Sequence, residues 1–458
     1  MTVFTPREVL LATKGTCIAS SAVESFAGVS TDTRTITPGS LFVALSGERF
    51  DGHEYIAEAL NKGAAGLIVS REPTGILPGV AVYLVTDTRT AFEDLARFHR
   101  CRFQIPVIAV TGSNGKTSTK DMIAAVLSTK LNILKTEANF NNEIGLSQTL
   151  LKMNDKHQAV VVEMGMRGRG EIAELAGIAL PTVGVVTNVG ETHLERLGSI
   201  ENIAAAKAEL VEALDGQSVA ILNGDDVYVR AMSEKTAARV VYYGQKTETD
   251  VRAMNVSQSA QAEAFDCTVG SASFPVSIPM PGIHNVYNAV AAIAVGVELG
   301  VETDLISQGL AQFEPGKMRL NIGQYGHVTV IDDTYNASPL SMAAAIEVLA
   351  SVAKGRKLAA IGDMLELGAA AQAAHAKVGA QLAAVGVEVV LTLGDLARVA
   401  GETALQQGVL AVIECTDHEQ AIRELRKILR PGDTLLLKGS RGMTMEKLLS
   451  VFATQSEG

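Results

Sequence analysis

Short apolar runs ending in glycine or polar residues, each followed by a segment of helical spacing, recur along the chain. Val107–Val110 is such a run and reads as a buried strand. It ends in Thr111-Gly112-Ser113-Asn114-Gly115-Lys116-Thr117-Ser118, and a helix-period segment through Leu127 follows at once. Ala159–Val162, Thr182–Thr187 and Ser218–Leu222 repeat the apolar run, with a helix predicted over Ile200–Leu214. Upstream, residues 1–84 read as a small α/β unit. It has a short helix at Thr5–Ala12, a turn at Pro38-Gly39, a strand at Leu41–Leu45 and a helix at Tyr55–Lys62. Residues 87–104, containing AFEDLARFHR, read as a charged helical connector. Residues 245–280 alternate polar and apolar positions and read as antiparallel β. PGIHNVYNAVAAIAVGVELG then gives a turn and an apolar helix.

A second break falls at Phe313-Glu314-Pro315-Gly316. Beyond it the strand–helix alternation restarts. Strands are expected at Val328–Ile331, Leu358–Ile361, Val387–Leu393 and Thr434–Leu437, and helices at Ser341–Val352, Gln372–Val385, His418–Ile428 and Met445–Phe452. The pattern predicts an α/β protein of three domains. A small α/β N-terminal domain (1–86) precedes a central P-loop mononucleotide-binding domain (87–315) and a C-terminal, Rossmann-like doubly wound domain (316–458).

Composition narrows the function classes. At 47% hydrophobic, the 458 residues can bury large cores, built from aliphatic side chains because aromatics are 4% and tryptophan is absent. A net charge of −11 argues against a surface that tracks nucleic acid. Cys17, Cys101, Cys267 and Cys415 are far apart and form no CxxC pair, so reduced thiols in a cytoplasmic protein are expected. No signal-like segment and no stretch of 18 apolar residues is present, so no membrane span is expected. No heptad or apolar stripe suggests self-association, and a monomer is expected.

The candidate chemistry starts at Thr111–Ser118. Strand, glycine loop and helix is the geometry that cradles phosphate, because glycines let backbone N–H groups approach anionic oxygens at a helix N-terminus. Lys116 can reach β/γ-phosphates and Thr117 can ligate Mg²⁺. The full G-x-x-x-x-G-K-[ST] pattern would put glycine at Val110. Glu163 ends an apolar strand, where P-loop enzymes hold Mg²⁺, and where a solvated acid would also be ordinary. His193 follows another strand end, in TNVGETH, where open α/β sheets place their sites. Lys207, in AKAEL, reads on its own as a solvated helix lysine. Asn139, Asn141 and Asn142 read as a polar loop before a helix. His284, Asn285 and Asn288 open an apolar helix, where an amide could cap the helix or meet an adenine edge. Asp32, Arg34, Arg49, Asp51 and His53 crowd one strand of the first domain. In the last domain, Asp332–Asn336, Gly362–Met364 and Lys438–Arg441 each follow a strand, and no G-x-G-x-x-G opens it.

These residues resemble the Mur ligases, the ATP-dependent amide-bond-forming enzymes of peptidoglycan precursor synthesis. The resemblance covers nearly the whole chain. Its family-level marks are VTGSNGKTS, EMG at Glu163, TNVGETHLERLGS, AKAEL, GIHNVYNA and the pair Arg319 and Asp333. NFNNEIG, IDDTYNASP, IGDMLELG and LLLKGSRGM point within the family to the ligase that adds D-alanyl-D-alanine to UDP-N-acetylmuramoyl-tripeptide. The DYAHTPD segment and DNPR motif of the diamino-acid-adding ligase are absent. Ser338 stands where the motif often has a second Asn, a change expected to matter little.

The resemblance implies roles for individual residues. ATP and a pair of Mg²⁺ ions are the expected cofactors. Lys116 would stabilise the transferring phosphoryl group, and Thr111–Ser118 would hold the phosphates. Thr117 and Glu163 would hold the first Mg²⁺, and His193 with a carbamylated Lys207 the second. Asn285 and Asn288 would meet adenine, Arg319 would approach the γ-phosphate, and Asp333 would bind ribose. Ser30, Thr31, Asp32 and Arg34, with the Gly47–His53 loop including Asp51 and His53, would face the UDP-sugar peptide. Asn336, Ser440 and Arg441 would lie near the dipeptide. Domain closure with a hinge near residues 314–317 would exclude water from an acyl phosphate. Three alternatives remain open here. They are another ligase on this scaffold (diamino-acid-adding or folylpolyglutamate-synthase-like), a P-loop NTPase switch, and an NAD-binding protein, which the missing fingerprint disfavours.

Overall fold

In the computed structural model the described residues are 3–47, 50–74, 79–246, 248–259 and 262–453. Arg49 lies outside them. Three large sheets follow one another along the chain, each flanked by helices. The first has five strands in the order Thr16–Ala19, Ala81–Leu84, Gly66–Val69, Leu41–Val43, Val29–Ser30; only Thr16–Ala19 runs antiparallel to its neighbour. The last has six. The strand Asn321–Tyr325 pairs antiparallel with Val328–Asp333, and Thr434–Lys438, Lys357–Gly362, Val389–Leu393 and Ala411–Cys415 follow in parallel.

The central sheet has nine strands. Val107–Thr111 lies between Val183–Val186 and Ala159–Glu163, parallel to both. Its residues and those of its neighbours are fully buried, which is why they read as unbroken apolar runs. Beyond Val219–Asn223 and Arg239–Gly244, the segment expected as antiparallel β does form antiparallel strands: Val251–Gln258, Glu263–Val269 and Ala272–Ile278. They extend the same sheet, since Arg239–Gly244 pairs parallel with Val251–Gln258.

One element differs in kind from its expectation. The helix Thr88–Arg100 is not a solvated connector. Its N-cap is Asp87, whose carboxylate accepts from the Thr90 amide, and it buries Ala91, Phe92, Leu95 and Ala96. Those side chains join a core that contains Phe4 and Val9 of the first domain and Leu146, Leu150 and Ile172 of the second. Charged positions on its other face gave it the look of a linker; its apolar stripe welds two domains together.

Candidate active site

The loop 111–118 leaves the C-terminal end of Val107–Thr111 and turns into the helix Lys116–Ser128. Gly115 is the N-cap, at φ +80°, and no side chain caps this helix end. The first-turn amides of Lys116, Thr117 and Ser118 are therefore the natural phosphate donors. The earlier loop amides are committed within the protein. Ser113 donates to the Asn188 carbonyl and Asn114 to the Asn188 side chain. Thr187 and Asn188 both donate side-chain bonds to the Asn114 carbonyl. Asn188, which sequence reasoning passed over, is thus the brace of the loop, signalled only by its place at a strand end. Thr111 and Gly112 lie beneath the loop rather than along the cavity. Thr111 is fully buried and donates its hydroxyl to the Met164 carbonyl. A Cβ at Gly112 would stand 1.9 Å from the Thr187 hydroxyl, so close strand approach fixes this glycine. The Lys116 ammonium arches back over the loop and donates to the carbonyls of Gly112 (2.8 Å) and Ser113 (3.3 Å). Burial lowers its pKa, and the Glu163 carboxylate opposes that shift.

Glu163 is 2% exposed. It accepts from the Thr117 hydroxyl at 2.7 Å and from the Asn141 amide at 2.7 Å. A buried carboxylate beside a hydroxyl, facing phosphate donors, is an oxygen set that suits Mg²⁺, which takes one or two carboxylates plus phosphate oxygens and water. Among the described residues no three His, Cys, Asp or Glu side chains form a ready-made metal cage. His193 lies in the left-handed region at φ +56° and pairs through Nδ1 with Glu366 Oε2 at 2.5 Å. Burial pulls its pKa down and Glu366 pulls it up. Lys207 is not a solvated lysine. It is 2% exposed, and burial, then the nearby Lys116 charge, push its pKa well below the usual lysine range. The helix Ile200–Glu212 turns this face inward, against the phosphate-loop strand. A neutral amine is the form that can add carbon dioxide to become a carbamate, so the residue fits the modified ligand expected of it.

A cavity of about 1220 Å³ runs from this loop to the C-terminal domain. Ser113–Ser118, Glu163 and His193 line one side. Arg319, Asp333, Asn336, Ser440 and Arg441 line the other, and Asn285 and Asn288 lie along it. The guanidinium of Arg319 stacks on Tyr335, 3.8 Å from the ring centroid. Asp333 accepts from Lys438 Nζ at 2.5 Å and from the Leu320 amide, and Lys438 also donates to the Asn336 carbonyl. Ser440 donates weakly to Ala337 and accepts from the Leu365 amide. Arg441 pairs with Glu446 at 2.7 Å. Ser338 caps the helix Pro339–Val352 and donates to the Asn114 side chain at 2.9 Å, joining the third domain to the loop. Asn285 and Asn288 spend their amides inside the protein. Asn285 donates to the Pro281 carbonyl, and Asn288 donates to Asn285 and accepts from Thr119. Asn288 packs against Gly115, and each carboxamide spends only one of its two N–H donors in these bonds. Neighbouring His284 also lines the cavity, and burial pushes it down to about 4.

The first-domain candidates stand apart from this cavity. Asp32 pairs with Arg34, which is exposed. Asp51 accepts from Ser46, from the His53 amide and ring and from Arg71, and the His53 ring also accepts from the Ser70 amide. These bonds hold Asp51 well below the usual carboxylate range. Gly47 is exposed beside Phe50, and Ser30 donates within its own turn. One bond links this region onward: Gln148, on the helix Glu143–Leu150, donates to the Thr31 hydroxyl.

Comparison with known proteins gives three family matches along the chain. Residues 25–100 match the model "Mur ligase family, catalytic domain", residues 110–296 "Mur ligase middle domain", and residues 318–441 "Mur ligase, glutamate ligase domain". The UDP-N-acetylmuramoyl-tripeptide–D-alanyl-D-alanine ligase of Bacillus subtilis (strain 168) is 39% identical over 426 residues, 92% of each chain. A solved UDP-N-acetylmuramoylalanyl-D-glutamyl-2,6-diaminopimelate–D-alanyl-D-alanyl ligase from Acinetobacter baumannii superposes with a TM-score of 0.88 at 32% identity, covering 99% of both chains. A MurF ligase from Thermotoga maritima, in complex with ADP, gives a TM-score of 0.84 at 28% identity over 93% of this chain and 96% of that one.

Proposed function

The chain belongs to the Mur ligase family, and on that premise we propose that it joins D-alanyl-D-alanine to UDP-N-acetylmuramoyl-tripeptide, converting ATP to ADP and phosphate. It is an ATP-dependent ligase of peptidoglycan synthesis, with the three α/β domains of that family. The observation that carries the reading is one cavity walled by a phosphate loop on the central sheet and by Arg319, Asp333 and Asn336 on the C-terminal sheet. A hydrolytic switch has no use for the second wall. The boundaries 86/87 and 315/316 are proposed as the domain limits.

A carboxylate is a poor acyl donor. In the first step an oxygen of the tripeptide's terminal carboxylate attacks the γ-phosphorus of ATP, the bond to the bridging oxygen breaks, and ADP leaves an acyl phosphate. Lys116 and Arg319 offset the negative charge on the transferring group, and the first-turn amides of Lys116–Ser118 hold its oxygens. Thr117 and Glu163 are the residues to hold one Mg²⁺, and His193 with carbamylated Lys207 a second; bound there, the ions would neutralise phosphate charge. In the second step the neutral amine of D-alanyl-D-alanine attacks the acyl carbon, and the tetrahedral intermediate expels phosphate. Asn336, Ser440 and Arg441 are proposed to face the dipeptide, and Asp333 the ribose. Asn285 and Asn288 are proposed to meet adenine, with Asn288 also packed against Gly115. Ser30, Thr31, Asp32, Arg34, Gly47, Asp51 and His53 are proposed to hold the UDP-sugar end. No helix among the described residues is long and apolar enough to cross a membrane, and we place the enzyme in the cytoplasm, as a monomer.

Phosphate release measured with ATP, the UDP-muramoyl tripeptide and one acceptor at a time tests the reading. D-alanyl-D-alanine should stimulate release, while a diamino acid or glutamate should not. Equal release without any acceptor amine would overturn it in favour of a hydrolase.

A further inference from the structure

The cavity is also lined by Arg89, Glu143 and Glu174, which the reaction steps do not use. Arg89 Nη1 lies 3.8 Å from Glu143 and 3.6 Å from Glu174, and its Nε lies 3.8 Å from Glu93. All three distances exceed hydrogen-bond length. One guanidinium therefore faces three carboxylates and bonds closely to none. Glu93 is 8% exposed, and the oxygen it turns toward Arg89 has no hydrogen-bond partner. Buried carboxylate oxygens are normally satisfied, and an unpaired one is costly. Because Arg89 bonds closely to neither Glu143 nor Glu174, these two cavity-lining carboxylates keep acceptor capacity for a further donor. A compact cation carrying several N–H bonds, an ammonium, is the group that completes the cluster.

Position says which ammonium. Glu143 is the first residue of the helix Glu143–Leu150. Just before it, Asn141 donates to Glu163 at the phosphate end; five residues after it, Gln148 donates to Thr31 of the first domain. The helix thus runs from the region assigned to the UDP-sugar end toward the carboxylate that faces the phosphates. On the ligase reading above, on which this inference rests, the residue whose carboxyl is activated is the third of the tripeptide. Its side chain must leave the reaction centre close to this helix. We propose that Glu143 and Glu174, with Arg89 and Glu93 behind them, form a subsite for the side-chain ammonium of the tripeptide's third residue. Lysine and diaminopimelate share that ammonium, so the site selects a diamino acid over a neutral one.

The test compares UDP-muramoyl tripeptides carrying lysine, Nε-acetyl-lysine or diaminopimelate at the third position, by phosphate release stimulated by D-alanyl-D-alanine. The wild-type enzyme should prefer lysine over its acetylated form by about 10- to 100-fold in kcat/KM, the range for a hydrogen bond to a charged group. In Glu143→Gln/Glu174→Gln the ratio should collapse to within about threefold, mainly through KM. Diaminopimelate should behave as lysine does. Indifference of the wild-type enzyme to acetylation overturns the subsite without any variant, as does a double variant that keeps the full ratio. Failure of every tripeptide to support stimulated release would overturn the ligase reading, and the subsite with it.

Discussion

Gly115→Ala probes why the phosphate loop has its shape. Gly115 sits at φ +80° and ψ −4°, a conformation that costs an L-residue about 1–2 kcal/mol. The added Cβ would also stand 2.5 Å from Asn288 Oδ1. Asn288 cannot swing away freely, because that oxygen accepts from Thr119 at 3.1 Å and its amide donates to Asn285 at 3.2 Å. Giving up both bonds adds about 2 kcal/mol at roughly 1 kcal/mol each. The expected loss for Gly115→Ala is therefore about 3–4 kcal/mol. Asn288→Ala alone gives up the same bonds, about 2 kcal/mol. In the double variant the clash is gone, so the total should remain near 3–4 kcal/mol instead of the additive 5–6, a coupling of about 2 kcal/mol. Urea unfolding gives the cycle for stability, and calorimetric ADP binding gives it for the loop. Losses that add to within about 0.5 kcal/mol would refute the steric argument. Asn288→Ala assayed with ATP and with GTP separates two roles: an equal proportional loss marks support of the loop, and a changed preference marks contact with the base.

Other perturbations test separate parts of the site. Lys207→Ala should lower kcat by more than the roughly 100-fold typical of a merely supporting residue. Short carboxylic acids should restore part of the rate, and no rescue in an enzyme that still melts cooperatively would count against the carbamate. Glu93 is pushed up to about 7 by burial first and by Glu174 next. The native state thus holds its proton between its unfolded value of 4.5 and about 7, and stability falls as pH rises through that window, by at most about 3 kcal/mol. Glu93→Gln should gain on wild type between pH 5 and pH 8 in urea midpoints, and a constant difference would refute the assignment. Ser338→Ala should cost about 1 kcal/mol as a lost cap and raise the KM for ATP, while Ser338→Asn should restore the cap; equal behaviour of the two would remove Ser338 from the loop. Small-angle scattering should change when ATP and the UDP-tripeptide are added together, and identical profiles would exclude a hinge at 314–317.

Much of this molecule is legible in its sequence for a physical reason. Parallel strands buried on both faces, such as Val107–Thr111 and Thr434–Lys438, must be continuous apolar runs, and turns between strand and helix must carry glycine or polar caps. Edge strands escape that rule. Asn321–Tyr325 is half-exposed and Ala411–Cys415 nearly so, and neither was expected. The helix Asp395–Gln406 was also missed, because its buried stripe is alanine and glycine rather than large apolar residues. Within the site, Lys116, Thr117 and Glu163 follow local pattern. Lys207 does not: in AKAEL nothing local separates a buried lysine from a solvated one, and only the strand it faces makes the difference. Asn188, Glu366 and Ser338 act across sequence separations of 74 to 224 residues, a distance no local pattern reaches. Asn139, Asn141 and Asn142 do precede the helix Glu143–Leu150, as their polarity predicts, yet no local pattern shows that Asn141 is a direct partner of Glu163.

The distribution of the cores suggests which part of the enzyme moves. The first and central domains share one continuous apolar cluster, which runs from Phe4 through Leu95 to Ala238. The C-terminal domain keeps two clusters of its own, and every residue in them lies at or beyond Leu320. Among the described residues its ties to the central domain include the bonds of Ser338 to Asn114, His193 to Glu366 and the Glu195 amide to the Glu366 carbonyl, with Leu340 and Val348 resting beside Gly190 and Gly282. Separating a shared apolar core exposes surface at about 25 cal/mol per Å², whereas hydrogen bonds exchanged for water lose only about 1 kcal/mol each. Rotation about residues 314–317 is therefore expected to cost less than movement of the first domain. Two of these bonds are made by Asn114 of the phosphate loop and by the proposed metal ligand His193. Closure and assembly of the catalytic groups are then the same event, so an acyl phosphate would form only where the C-terminal wall already shields it from water.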